Sequence, residues 1–460
     1  MDSATANPLT EYQWSVQPEA QRLINSLVAD FLGRNDFARS LAERMRNETG
    51  TRFADWIDYI RLPQGDARWA EAQKVGYSPS PADGEQAMRH SGGMFPLIIR
   101  EDGARLCVAI KVDWVVDVMV ALGITLTHEI EGDPLAPVRT ACVSLDSDTE
   151  LWAVERHGGR GRKIESQSPE RLVKAARHLE LFRRRTRSFS HESDGFAYAH
   201  MLIGPAIADL GVDWTCDLFF RAERDYWQSR NHAAQVQKAR QDRLGLGWCN
   251  HDHHTYRSSR EHFASLVAVW EKLGFQCRER FYAGKEAGWG AQVMEQPNTG
   301  IITFNDVDLS PEELMGDFSH AGLSPKQSLG TVGLWCGLHG EAFLQAGMHH
   351  LEAQFDFDSL RDQLEKQGVK MMKPFTNFPF LTQAFTQGER WPIRAERIAR
   401  LLQKGQITSQ QAEEFEKNGA IGSHLENLER NDGFKGFNQT GVSEIIAATD
   451  PRKQAALQGA

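Results

Sequence analysis

The chain has 460 residues, with 52 basic against 62 acidic side chains and a formal net charge of −10. The basic residues are scattered among acidic ones, which argues against a nucleic-acid groove or an anionic membrane surface as partner and for a small molecule. One hydrophobic core rarely organises this length, so two domains or repeated modules are expected. No apolar run approaches a membrane span, and the N-terminus has neither a basic nor an apolar targeting region, so a cytoplasmic protein is expected. The six cysteines (Cys107, Cys142, Cys216, Cys249, Cys277, Cys336) form no CxxC pair, so neither a disulfide framework nor a zinc ribbon is signalled.

From Pro18 to Asn47 apolar residues recur at helical spacing (Leu23, Leu27, Phe31, then Phe37, Leu41, Met45), with a break at residues 33–36. Two amphipathic helices are predicted within residues 1–48. The period then changes: FADWIDYIRL, PLIIRED, LCVAIKVD, PVRTACVSLD and TELWAVER read as strands, with a helix in VVDVMVALG. Residues 49–162 are therefore expected to be a mixed module. Residues 163–246 are charged and helical and read as a connector. Its basic run, Arg183, Arg184, Arg185 and Arg187, is expected on a solvated helix face or in ion pairs between subunits. Residues 247–450 return to alternating elements: HDHHTYR, the helix HFASLVAVWEKLG, strands at RERFYAG, WGAQVMEQ and GIITFND, then AGMHHLEAQFD, the helix DSLRDQLEKQG and HLENLER.

The second half repeats the first residue by residue. FADWIDYIRL lies over CNHDHHTYRS, CVAIKVDWVVDVMVALGI over HLEAQFDFDSLRDQLEKQGV, and LWAVERHGGRG over LENLERNDGFKG. Tyr59 thereby faces His253, Cys107 faces His350, Trp152 faces Glu426, and Glu155-Arg156 faces Glu429-Arg430. The second module holds two histidines and a carboxylate where the first has tyrosine, cysteine and tryptophan. The fold class expected is α+β, with metal in the second module only.

Two neutral imidazoles and one carboxylate, with other coordination positions open, suit Fe(II) that must take both a chelating substrate and dioxygen. Alternation along a strand puts His251, His253 and Thr255 on one face and His254 on the other; Met348, His350 and Glu352 likewise share a face from which His349 points away. A register slip of one residue would exchange His253 for His254, or His350 for His349. Any of His251, His254 and His349 could orient a ligand from behind.

The second half resembles the group of 4-hydroxyphenylpyruvate dioxygenase and hydroxymandelate synthase, within the vicinal-oxygen-chelate superfamily of glyoxalases and extradiol dioxygenases. The likeness rests on Asp252-His253, on AGMHHLEAQFDFDSLRDQLEKQGVKMM, and on LENLERNDGFKGFNQTGVSEII, matching the group's ligand Glu, Gly-Phe turn and closing helix. It implies two modules of repeated βαβββ units, Fe(II) held by His253, His350 and Glu426, and oxidative decarboxylation of a 2-oxo acid by O2 with hydroxylation of the same molecule. It also implies substrate contacts from Asn305, Gln354, Gln292, Thr255, Phe434 and Phe437. The pocket departs from the group: Ala291 stands for a serine, His349 for a glutamine, and Thr303-Phe304-Asn305 for Pro-Leu-Asn. A helical stretch, residues 391–419, stands where the group has a strand carrying a further substrate-contacting glutamine. A different 2-oxo acid is therefore expected as substrate. An extradiol-type dioxygenase, a glyoxalase-type metal isomerase and a non-catalytic small-ligand binder remain as alternatives, and assembly as a homo-oligomer is left open.

Overall fold

The computed structural model describes residues 14–103, 105–124, 130–438 and 450–454. Two helices open it, α1 (Pro18–Arg34) and α2 (Asp36–Arg44), separated at Asn35, whose side chain caps the second by accepting from the Ala38 amide.

The first sheet is built from two similar units. One is β1 (Ile57–Pro63), α3 (Arg68–Lys74), β2 (Tyr77–Pro79), β3 (Ala87–His90) and β4 (Leu97–Glu101); the other is β5 (Leu106–Lys111), α4 (Val115–Ala121), β6 (Val138–Leu145) and β7 (Thr149–Arg156). Residues 53–56, expected as strand, form a 3-10 turn instead. The sheet order is β2-β3-β4-β1-β5-β7-β6. In each unit the first strand lies parallel to the last, β1 to β4 and β5 to β7, and the two units join where β1 pairs antiparallel with β5.

A second sheet repeats this plan. It uses β8 (His251–Arg257), α9 (Phe263–Lys272), β9 (Gln276–Tyr282), β10 (Trp289–Gln296) and β11 (Ile301–Asp308), then β12 (His350–Gln354), α12 (Phe357–Glu365), β13 (Thr376–Phe378), β14 (Leu381–Phe385) and β16 (Ala420–Arg430). Between the two units come α10 (Pro311–Leu314) and α11 (Thr331–His339). Strand order is β13-β14-β16-β12-β8-β11-β10-β9, with β8 parallel to β11, β12 parallel to β16, and β8 antiparallel to β12 at the seam. The stretch at 391–419 is an insertion between β14 and β16: β15 (Glu389–Trp391), α13 (Ala395–Gln403) and α14 (Ser409–Asn418). The fold is thus α+β, two modules of paired βαβββ-like units, one of which has three strands among the described residues. The closing helix expected after residue 438 lies outside the described residues.

Four helices connect the modules: α5 (Pro169–Arg183), α6 (Glu192–Leu210), α7 (Val212–Gln228) and α8 (His232–Asp242). The central one is buried around most of its circumference, including Trp214, Phe219, Phe220 and Trp227, because it is clamped between the sheets. Asp217 bonds His157 of the first module at 3.0 Å, and Arg224 reaches His254 of the second at 3.3 Å. This corrects the expectation for the basic run. Arg183 and Arg184 are solvated, but Arg185 and Arg187 are buried and meet Glu223 of α7 at 3.0 and 2.6 Å. A buried carboxylate on the covered side of a helix has to be neutralised from its neighbours.

Candidate metal centre

The strand ladders reproduce the repeat read from the sequence. Across the first seam Tyr59 pairs with Ala109 and Arg61 with Cys107. Across the second His253 pairs with Glu352 and Thr255 with His350. One strand further, Ala109 pairs with Trp152, and Glu352 with Glu426. Tyr59, Cys107 and Trp152 therefore occupy the ladder positions of His253, His350 and Glu426.

Both seams also carry one extra residue, Asp58 in β1 and Asp252 in β8, each bulged between ladder pairs. Each bulged aspartate meets an arginine at the end of its module's last strand: Arg156 holds Asp58, with Nε–Oδ1 at 2.8 Å, and Arg430 holds Asp252, with Nε–Oδ2 at 2.8 Å. The arginines also close the following turns, Arg156 on the Gly159 and Gly161 carbonyls and Arg430 on those of Phe434 and Gly436. The bulge breaks simple alternation. His251, expected to share the face of His253, instead lies with its ring 5.0 Å from that of His254, beside Arg224.

On the inner face of the second sheet His253, His350, Glu352 and Glu426 converge, all buried. Glu352 Oε1 stands 2.7 Å from His253 Nε2 and 2.8 Å from His350 Nε2, and accepts from the Thr255 hydroxyl at 2.8 Å. Glu426 Oε2 lies 3.6 Å from His350 Nε2, while its Oε1 accepts from the Gln383 amide at 2.8 Å. Behind the ring of His253, Nδ1 meets Asp252 Oδ1 at 2.8 Å, so that Nε2 faces the cluster. His254 and His349 point outward, the former to the Ile302 carbonyl, the latter against Trp335 and His424.

Electrostatics sets these groups apart. Burial would raise the Asp252 carboxyl, but Arg430 holds it well below the usual carboxylate range. Burial would lower His253, yet Glu352 and Asp252 raise it above the ordinary imidazole value; burial prevails at His350, which is lowered. Glu352, against burial, is held low by His253 and His350. Glu426 is pushed well up by burial and by the Glu352 carboxylate beside it. Neither Glu352 nor Glu426 meets a lysine or arginine among the described residues. Glu352 Oε2 and Gln383 Oε1 are buried without a hydrogen-bond partner.

A cavity of about 70 Å³ opens on this cluster, walled by Phe281, Trp289, Phe304, Phe375, Phe385 and Phe437. One further carboxylate reaches it: Asp306, 1% exposed, its Oδ1 unpartnered and its pKa raised to about 7 by burial, with Arg257 at 3.5 Å opposing. The larger cleft, about 650 Å³, lies by Arg230, Trp391 and Arg394 and contains none of these groups.

Of the substrate contacts expected from the sequence, Thr255 and Phe437 line the cavity. The others do not. Asn305 points to the opposite face, where its amide donates to the Gln292 carbonyl and Thr303 hydroxyl and its oxygen accepts from the Trp270 indole at 2.8 Å. Gln292, its ladder partner, donates to the Glu279 and Val293 carbonyls. Gln354 donates to Asp252, and Phe434 packs on Phe380. The cause is alternation: one strand position from Asn305 sits Asp306, which faces inward. The insertion was also expected to displace a glutamine-bearing strand. Instead β14 precedes it and carries Gln383 to Glu426. The alternating run LTQAF was the available signal for that strand.

No family model matches this chain, and no curated protein matches it. Among solved structures, a triple mutant of 4-hydroxymandelate synthase from Streptomyces coelicolor aligns at 13% identity and TM-score 0.28, over 88% of this chain and 99% of that one. Methylmalonyl-CoA epimerase from Mycobacterium tuberculosis aligns at 11% identity and TM-score 0.23, over 44% of this chain and 92% of that one.

Proposed function

We propose that the second module binds one divalent iron through His253, His350 and Glu426, and that the protein is a dioxygenase acting on a 2-oxo acid by oxidative decarboxylation with hydroxylation of the same molecule. The observation that supports this most is the pair of buried carboxylates, Glu352 and Glu426, facing imidazole nitrogens with no fixed cation among the described residues. Burying such charge is costly without a counter-ion, and a divalent cation between two imidazoles and carboxylates supplies it. When bound, iron would supply open coordination positions for a chelating 2-oxo acid and for dioxygen.

The chain's own residues do the rest. Asp252, fixed by Arg430, holds the proton of His253 at Nδ1 and so presents Nε2 to the centre. Gln383 orients Glu426. The ring of Phe437 lies 4.8 Å from that of His253, and Phe304 5.1 Å from Phe437, covering the centre with apolar surface that excludes water. The first module has no equivalent ligand set and serves as a structural half, so one iron per chain is expected.

Turnover of 4-hydroxyphenylpyruvate is expected to be poor. Ala291 pairs with Asp306 on the inner face and offers no hydroxyl, and Asn305 and Gln292 point away from the cavity. An apolar wall that leaves the substrate's hydroxyl unpaired disfavours it by about a hundredfold.

The test is anaerobic iron loading with metal analysis of His253→Ala, His350→Ala and Glu426→Ala, followed by oxygen uptake with a panel of 2-oxo acids. Loss of iron in all three variants and O2-dependent CO2 release from a 2-oxo acid are expected. Full iron occupancy in all three would overturn the ligand set. Absence of uptake with every 2-oxo acid would overturn the reaction class, and rapid formation of homogentisate or hydroxymandelate would overturn the substrate expectation.

A further inference from the structure

We infer that Glu352 is a fourth protein ligand of the centre, which makes it a two-histidine, two-carboxylate site; this rests on the metal reading above. Ligand atoms about 2.1 Å from one ion, at right angles, stand about 3 Å apart. Glu352 Oε1 is 2.7 Å from His253 Nε2 and 2.8 Å from His350 Nε2, closer to both than Glu426 is to His350 at 3.6 Å. The atoms of His350, Glu352 and Glu426 also all lie within 4.8 Å of one another; His253 is outside that group and joins the centre through Glu352. The side chain is 2% exposed, its second oxygen has no hydrogen-bond partner, and a residue with only a packing role at that position needs no charge. The first module supports this contrast: the ladder position of Glu352 there is Ala109, in the half that lacks the ligands.

The pseudo-twofold relating the two units of the second sheet sharpens the assignment. Because His253 pairs with Glu352 and Thr255 with His350, the axis exchanges His253 with His350 and Thr255 with Glu352. It also exchanges Phe304, paired with Thr255, with Glu426, paired with Glu352. Phe304 offers no ligand, so the second carboxylate comes from beside His350 on the same strand.

The consequence is a count of open positions. A six-coordinate ion with three protein ligands has three exchangeable sites, enough for a bidentate 2-oxo acid and dioxygen together. With Glu352 bound there would be two, which a bidentate 2-oxo acid would fill. Room for dioxygen would then require Glu352 to leave the ion, and the Thr255 hydroxyl, which donates to its Oε1 at 2.8 Å, would keep the released carboxylate.

The experiment compares wild type, Glu352→Ala and Glu352→Asp, with folding checked by circular dichroism. Equilibrium dialysis against Fe(II) should show one ion per chain throughout, bound more weakly in Glu352→Ala by on the order of tenfold or more. The visible absorption of the Co(II)-loaded protein should change in Glu352→Ala and return toward wild type on adding acetate, which can fill the vacated position. With pyruvate saturating, nitric oxide should bind the iron-loaded Glu352→Ala more tightly than wild type. Unchanged affinity and spectrum in a folded, metal-loaded Glu352→Ala would overturn the inference and leave the three-ligand reading standing. A wild-type protein that binds no metal would overturn both, and Glu352→Asp guards against a variant that merely fails to fold.

Discussion

The two modules share a backbone plan and one polar device, and differ in what neutralises the inner face of the sheet. In both, a bulged aspartate is gripped by an arginine that also closes the turn after the last strand. Because this pair recurs beside Tyr59, Cys107 and Trp152, its first role is structural; in the second module the aspartate also meets a histidine, His253. The carboxylates beyond the bulge are handled in opposite ways. Glu101 and Asp306 occupy matching ladder positions, two residues beyond Ile99 and Phe304. In the first module Arg61 meets Glu101 at 2.7 Å and also meets Glu150, and Arg162 meets Glu101, so Glu101 is held below its ordinary pKa. The cation there is covalent. In the second module the residue at the position of Arg61 is Thr255, and Asp306 is driven up to about 7. One half grips its carboxylate with two close arginines; in the other Arg257 stands 3.5 Å from Asp306 and burial prevails.

The largest effect is expected from cutting the shared device. Replacing Arg430 by Met strands a fully buried aspartate and should cost about 3–5 kcal/mol in urea unfolding, and should also weaken metal binding by freeing His253. Arg156→Met, whose pair is more exposed, should cost less and leave the metal stoichiometry of the folded protein at one. Equal loss of metal in both variants would erase the distinction between the halves.

The pH dependence of the metal-free protein gives a second comparison. Asp306 has a folded pKa near 7, above its unfolded value, so the folded state is favoured by the neutral acid; stability is lost as pH rises from about 4 to about 7, by up to about 4 kcal/mol. Asp306→Asn should remove that loss. Glu101 has the opposite sign: its folded pKa is depressed, so its contribution is present above its unfolded pKa and lost on acidification, and Glu101→Gln should lower stability above that pKa and leave it unchanged in acid. Chemical unfolding of both variants between about pH 2 and 8 reads this directly, and a parallel response would break the assigned contrast.

The smallest effect concerns Asn305. Asn305→Ala leaves the Trp270 indole and neighbouring groups unsatisfied and should destabilise the fold by about 1–3 kcal/mol, with iron affinity and the KM of any active 2-oxo acid unchanged. A raised KM in a stable variant would return Asn305 to the cavity.

The sequence by itself carried the helical and strand periods, the internal repeat, and through that repeat the pairing of Tyr59, Cys107 and Trp152 with His253, His350 and Glu426. These are legible because alternation and repeat spacing are local properties of the chain. What tertiary structure decided were the facings that depend on a partner strand. The bulge at Asp252 turned His251 away, a one-position difference exchanged Asn305 for Asp306, and burial of α7 drew in Arg185 and Arg187. Gln383 and Glu352 became site residues only when β14 and β8 were laid against β16 and β12. Period alone cannot say which of two faces closes on which neighbour, because that choice is made by hydrogen-bonded register and by the charge each buried face must neutralise.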